Sequence, residues 1–239
     1  MKVHITLTAK EIHEEELAGK VAVVIDVLRA TSVIVTALAN GARWVKTVAS
    51  IEEAFQSKSG DVLLGGERYA LPIEGFDCSN SPLEYTTERV MNKGIVLTTT
   101  NGTLAVSKCG SASRLLIGSF LNQHFLADHL VSLNQPVELV CAGTNGEFSL
   151  DDFLCAGAIC TSLQNSGEME FGDLEKLAVQ TWKKASSDIH AALNDTKHYN
   201  ILKSKGFLKD LDYCLTLDTR NIIVLRQEEN SLAGYFVTI

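Results

Sequence analysis

The chain has 239 residues, 46% of them hydrophobic and 21% charged, ordinary globular usage that excludes disordered and fibrous classes. Its 21 Lys and Arg against 29 Asp and Glu give a net charge of −8, which argues against nucleic acid or a membrane as partner, since both call for a basic footprint. No apolar run approaches the ~18 residues of a membrane span, and the stretch from Glu11 to Glu16 leaves no signal-peptide core; the expectation is a soluble, cytoplasmic protein.

Strand-like runs fall at 3–7, 21–25, 44–48, 62–64, 95–98, 115–118, 137–141, 222–226 and 235–239. Helical patterns stand between them at 30–39, 51–56, 83–91, 104–108, 121–133 and 150–163. This alternation predicts an α/β layered fold with a largely parallel or mixed sheet covered on both faces. Two helix starts are signposted: Ser81-Pro82-Leu83-Glu84 has a capping Ser, a Pro and an acid three residues on, and Ser149-Leu150-Asp151-Asp152 is related. A helical region spans about 172–215, its first part with an apolar side at Leu174, Leu177, Ala178, Trp182, Ala185, Ile189, Ala192 and Leu193 that reads as core packing. The C-terminal strands, 222–239, return to the sheet, with a hairpin turn expected through 228–232. Three prolines and no linker favour one domain over 1–239. The six cysteines form no Cys-x-x-Cys pair and sit in apolar runs, so buried reduced thiols are expected.

In parallel α/β sheets, ligands gather beyond the carboxyl ends of strands. Four polar segments occupy such positions. In Ile25-Asp26-Val27-Leu28-Arg29-Ala30-Thr31-Ser32, a carboxylate ends a buried strand and donors follow at a helix start. Gly65-Gly66-Glu67-Arg68, continued by Ser79-Asn80-Ser81, offers close backbone approach, an acid, a base and an anion cradle. Thr98-Thr99-Thr100-Asn101-Gly102-Thr103 is a donor cluster, and Ala142-Gly143-Thr144-Asn145-Gly146-Glu147 repeats its Thr-Asn-Gly device ahead of Asp151 and Asp152.

Oxygen ligands at Asp26, Glu67, Glu147 and Asp152 suit Mg²⁺, which uses one or two carboxylates plus water and substrate phosphate. Phosphoryl transfer or phosphate-ester hydrolysis is the chemistry deduced. No nucleotide-binding glycine motif appears, and the six histidines show no zinc spacing. His124 and His129, on a helix packing through Leu126, Leu130 and Leu133, read as structural.

Taken in order, Ile25 to Ser32, Gly66-Glu67-Arg68, Asn80-Ser81-Pro82, Thr99 to Thr103 and Cys141 to Glu147 resemble the 2-phosphosulfolactate phosphatase family, from roughly Val21 to Cys160 and more loosely beyond. The resemblance implies a three-layer α/β/α sandwich and a Mg²⁺-dependent phosphatase converting 2-phospho-3-sulfolactate to 3-sulfolactate and phosphate, a step in coenzyme M biosynthesis. It assigns substrate binding to Arg29, Thr31, Ser32, Arg68, Asn80, Ser81, Thr100, Asn101, Gly102, Thr103, Thr144, Asn145 and Gly146. Metal and phosphate are expected on the side of Asp26, Glu67 and Glu147, with Asp26, Glu147 and Asp152 as catalytic carboxylates. Arg29 and Arg68 are the candidates for the substrate's carboxylate and sulfonate.

Direct attack by water is preferred to an aspartyl-phosphate on Asp26, because the second Asp of a haloacid-dehalogenase-type site is here Leu28. The expected partner is a small polyanion, with a homodimer allowed. A phosphatase for another 2-phospho-hydroxy-acid, or a non-catalytic binder of small anionic metabolites, would share the anion donors; the binder would not need the carboxylates.

Overall fold

The strand at Val21–Ile25 is buried over all five residues, and its side chains divide with period two between the two faces of a sheet. Val21, Val23 and Ile25 join one apolar core, Ala22 and Val24 another, which is why the run reads as continuously hydrophobic. A computed structural model describes residues 1–227 and 234–239; the expected turn at 228–232 lies outside them.

The N-terminal half holds β1 (Lys2–Thr6), β2 (Val21–Ile25), α1 (Ala30–Ala39), β3 (Trp44–Thr47), α2 (Ile51–Gln56), β4 (Val62–Arg68), β5 (Leu71–Pro72), α3 (Thr87–Val90), β6 (Gly94–Thr98) and α4 (Gly102–Lys108). There follow β7 (Arg114–Gly118), α5 (Gln123–Leu133), β8 (Val137–Cys141), α6 (Leu150–Ser166), β9 (Glu170–Phe171) and α7 (Asp173–Ala185). The chain ends with α8 (Ile189–Leu193), α9 (Lys197–Ser204), α10 (Leu208–Cys214), β10 (Val224–Arg226) and β11 (Phe236–Thr238).

Among the described residues the strands form one mixed sheet in the order β5-β4-β6-β3-β11-β10-β7-β2-β8-β1-β9. Two parallel blocks, β4-β6-β3 and β7-β2-β8-β1, are joined through the antiparallel pair β10 and β11. One apolar core lies between the second block and α5, α6 and α7. The other joins both blocks to α1, with Val24, Val45, Ile95, Leu97 and Ile117 around Val33, Ile34 and Ala37. Every residue of α1 from Ala30 to Leu38 is buried; so β-branched a helix is held by its surroundings rather than by propensity.

Three local expectations are corrected. The helix at 83–91 is broken into a 3₁₀ turn at Pro82–Glu84 and the short α3. Its cap is taken apart: the Glu84 carboxylate turns back to the Ser79 amide and hydroxyl at 2.8 and 2.5 Å, while the Ser81 hydroxyl donates to Asp210 Oδ1 at 2.7 Å. The 174–193 region splits between α7 and α8, because Asp188 starts α8 afresh by accepting from Ala191 N–H; Ala178, Trp182, Ala185, Ile189 and Leu193 are buried as expected, whereas Leu177 is exposed. All six cysteines are buried and free, and no helix among the described residues is long and apolar enough to cross a membrane.

Candidate active site

A cavity of about 300 Å³ opens where the loops after β2, β4, β6 and β8 meet α9. The strand ends supply Asp26 and Arg29, Glu67, Thr99 to Asn101, and Thr144 with Asn145; Asn80 also reaches it, and His198, Ile201 and Leu202 of α9 close it, with Lys205 just past that helix's end. The two Thr-Asn-Gly loops touch, the Asn145 amide donating to Asn101 Oδ1 at 2.9 Å.

Asp26 directly follows β2 and is buried. Its main chain is fixed by Thr31, whose hydroxyl accepts from Asp26 N–H and whose amide donates to Asp26 C=O, and its Oδ1 accepts from Ala30 N–H at 3.3 Å. Burial pushes its pKa up to about 6, with Asp151 and Glu67 adding to the rise and His198 and the Ala30 amide opposing it. The backbone of Gly102 passes so close that a Cβ there would lie 2.7 Å from Asp26 Oδ2. The role of Gly102 is therefore to make room for that carboxylate.

Arg29 is almost wholly buried, 2% exposed. Its guanidinium pairs with Asp210 of α10 and lies 4.0 Å over the Phe207 ring, and Ser81 holds the other Asp210 oxygen. Arg29 therefore reaches the cavity as a rigid cation, and Ser81 acts through Asp210 rather than as a cap. Glu67 is held equally firmly, Oε1 accepting from Thr100 N–H at 2.7 Å and Oε2 from Ala70 N–H at 2.6 Å. Beside it, Thr100 Oγ1 and Asn80 Oδ1 are buried without a hydrogen-bond partner.

Other expected site residues stand elsewhere. Glu147 is a surface residue, its side chain 67% exposed and paired with Lys197 at 2.9 Å, and that lysine holds its carboxyl below the usual range. Arg68 does not line the cavity: it donates to Thr98 Oγ1 at 2.8 Å and to the Glu67 and Ala49 carbonyls. Asp152 lies behind the wall, Oδ1 accepting from Val27 N–H at 2.9 Å and Oδ2 from Gly143 N–H at 3.0 Å. Burial, then Asp151 and Asp26, push its pKa well above the usual range. The hydroxyls of Ser32 and Thr103 close local turns onto the Val27 and Thr99 carbonyls. The Gly66 backbone presses on Thr98, where a Cβ would meet the carbonyl oxygen at 2.0 Å, so the close approach is to the neighbouring strand. Gly146, at φ 74°, completes the tight turn between Thr144 and Glu147.

His198, Lys205, Phe207 and Asp210 were not singled out in the sequence. His198 Nδ1 lies 3.4 Å from Asp151 Oδ2, and Ser149 donates to the other Asp151 oxygen at 2.8 Å. Although burial works against the cation, Asp151 raises the His198 pKa; His198 and Ser149 in turn hold Asp151 low against its own burial. Lys205 donates to the Tyr69 carbonyl. The usable signal was the spacing of His198, Ile201, Leu202 and Lys205 at i, i+3, i+4 and i+7, one face of a helix. His124 and His129 do not line the cavity.

Among the described residues no group of three or more His, Cys, Asp and Glu side chains converges to hold a metal. Of the expected trio, Asp26 and Glu67 share the cavity and Glu147 does not. These two carboxylates, with the unpartnered oxygens of Asn80 and Thr100, make an all-oxygen donor set of the hard kind that suits Mg²⁺, a cation that takes the rest of its shell from water and substrate.

A family model described as 2-phosphosulpholactate phosphatase matches residues 6–229. A "Probable 2-phosphosulfolactate phosphatase" of Clostridium perfringens (strain SM101 / Type A) is 48% identical over 231 residues, covering 94% of this chain and 92% of the relative. Proteins of the same name from Clostridium novyi (strain NT) and Clostridium beijerinckii (strain ATCC 51743 / NCIMB 8052) are 43% and 42% identical, covering 93% of this chain and 96% and 95% of their own.

Proposed function

The chain belongs to the 2-phosphosulpholactate phosphatase family and is a phosphoric monoester hydrolase, and from that premise we propose that it hydrolyses 2-phospho-3-sulfolactate to 3-sulfolactate and phosphate, with Mg²⁺, in the cavity between the strand ends and α9. The observation that carries this reading is the mixed lining of that one cavity. Two carboxylates, Asp26 and Glu67, face it together with the cationic side chains of Arg29, His198 and Lys205. A chain of net charge −8 needs such local cations to admit a substrate bearing phosphate, carboxylate and sulfonate.

Asp26 and Glu67 would hold the metal, with Asn80 Oδ1 and Thr100 Oγ1 at hand. Bound Mg²⁺ would neutralise phosphoryl charge and lower the pKa of a coordinated water. The protein's own share is positioning. With the Thr100, Thr144 and Asn145 N–H groups bonded within the wall, the loops would offer phosphate oxygens the Thr99 hydroxyl and the side-chain amides of Asn101 and Asn145. Arg29, locked between Asp210 and Phe207, presents a fixed fork to a carboxylate or sulfonate. Apolar Ile201 and Leu202 line the same cavity and would help keep bulk water from the reacting centre. In-line attack by water is favoured over a covalent intermediate.

The test is phosphate release from 2-phospho-3-sulfolactate and from 2-phospholactate, each with Mg²⁺ and with EDTA. Mg²⁺-dependent release that is faster from the sulfonated ester is the expected result. Equal rates would remove the sulfonate from the reading, full activity in EDTA would remove the metal, and no release from either would overturn it.

A further inference from the structure

Expelling the C2 oxygen of a 2-phospho-hydroxy-acid releases an alkoxide, a poor leaving group unless it is protonated as the bond to phosphorus breaks. The cavity holds few groups able to deliver that proton. Arg29 does not give up its proton, and the Lys205 ammonium is turned to the Tyr69 carbonyl. The amides and hydroxyls of Asn80, Thr100 and Asn101 are too weakly acidic, and Asp26 and Glu67 stand on the metal side.

His198 is the group that remains, and it is built for the task. It sits in the first turn of α9 with its ring on the cavity wall and its side chain only 15% exposed. Nδ1 lies 3.4 Å from Asp151 Oδ2, an ion-pair contact outside hydrogen-bond geometry in which neither buried atom has another partner, and Nε2 is left for a bound ligand. Asp151 is 2% exposed and anchored by the Ser149 hydroxyl at the start of α6. A buried carboxylate this close to an imidazole favours its protonated form, the form a proton donor must start from.

We infer that His198 is the general acid that protonates the leaving oxygen, with Asp151 as its positioning residue. This rests on the hydrolysis proposed above. Water oxygen forms the new bond to phosphorus as the bond from phosphorus to the C2 oxygen breaks. The departing electron pair takes the proton from His198 Nε2. The surplus proton of the attacking water goes to solvent, and solvent reprotonates the imidazole before the next turnover.

The test compares leaving groups in the Mg²⁺-loaded enzyme. Wild type, His198→Gln and Asp151→Asn are assayed on 2-phospholactate and on its 3,3,3-trifluoro analogue, whose alcohol is much more acidic and needs no proton donor. His198→Gln is expected to lower kcat on 2-phospholactate by about 100-fold or more and on the trifluoro ester by only a few-fold. Asp151→Asn should show the same leaving-group dependence with a smaller loss, and thermal melts should show both variants folded. An equal loss on both esters, or none on 2-phospholactate, overturns the assignment while leaving the phosphatase intact. A wild type inactive on both esters and on 2-phospho-3-sulfolactate overturns the hydrolysis itself.

Discussion

Asp26 is the residue at which folding and function pull against each other most clearly. Burial places its pKa at about 6, above the ordinary 3.8, so the folded chain binds this proton more tightly than the unfolded chain. As pH rises through that window the buried carboxylate ionises and stability falls; the loss is complete above pH 6 and absent below about 4. In EDTA, Asp26→Asn should therefore be more stable than wild type at pH 8, by up to about 3 kcal/mol, and equal to it at pH 4. Thermal melts at the two pH values check this, and a variant less stable at pH 8 would refute it. The same variant should lose phosphatase activity. Asp26 was legible because a carboxylate ended an otherwise apolar run. Glu147 and Arg68 looked equally suitable, but each is captured by a partner the local sequence does not reveal: Lys197, 50 residues on, and Thr98, 30 residues on.

At the scale of elements, the wall of the site is a set of strand-end loops pinned to one another from behind. Asp152 at the start of α6 accepts from Val27 N–H after β2 and from Gly143 N–H after β8. Asp152→Ala leaves two buried donors without an acceptor and should destabilise the fold by about 2–5 kcal/mol, measured by urea unfolding. Asp152→Asn, which keeps one oxygen, should recover a large part of the loss. An alanine variant as stable as wild type would show that the clasp contributes nothing. The sequence correctly placed a carboxylate at this helix start, but could not say that both its oxygens turn inward. The broken helix at 83–91 has the same origin. Ser81 has every local feature of a cap, yet its hydroxyl goes to Asp210, 129 residues away. Periodicity and turn chemistry reveal strands, helices and their ends; long-range capture of a side chain leaves no mark in the spacing.

The whole molecule brings together parts far apart in the chain. Nine of the strand-like runs were visible as such, but not that β10 and β11, from the C-terminus, join the two parallel blocks. Nor did the sequence show that α9 lies across the strand-end loops, adding His198 and Lys205 to carboxylates more than 130 residues earlier. The resulting cavity gathers cations within an acidic chain. A second cavity of about 300 Å³, lined by Thr36, Tyr85, Glu88, Tyr213 and Arg220 among others, has one carboxylate and one cation on its wall and shares no lining residue with the first. The most direct measurement is a crystal structure of the protein with 3-sulfolactate, orthovanadate and Mg²⁺. The vanadate should lie in the first cavity between Asp26 and the Thr99–Asn101 loop, with His198 Nε2 against the sulfolactate hydroxyl and Arg29 on its carboxylate or sulfonate. Both ligands bound in the second cavity, with the first left empty, would contradict the account.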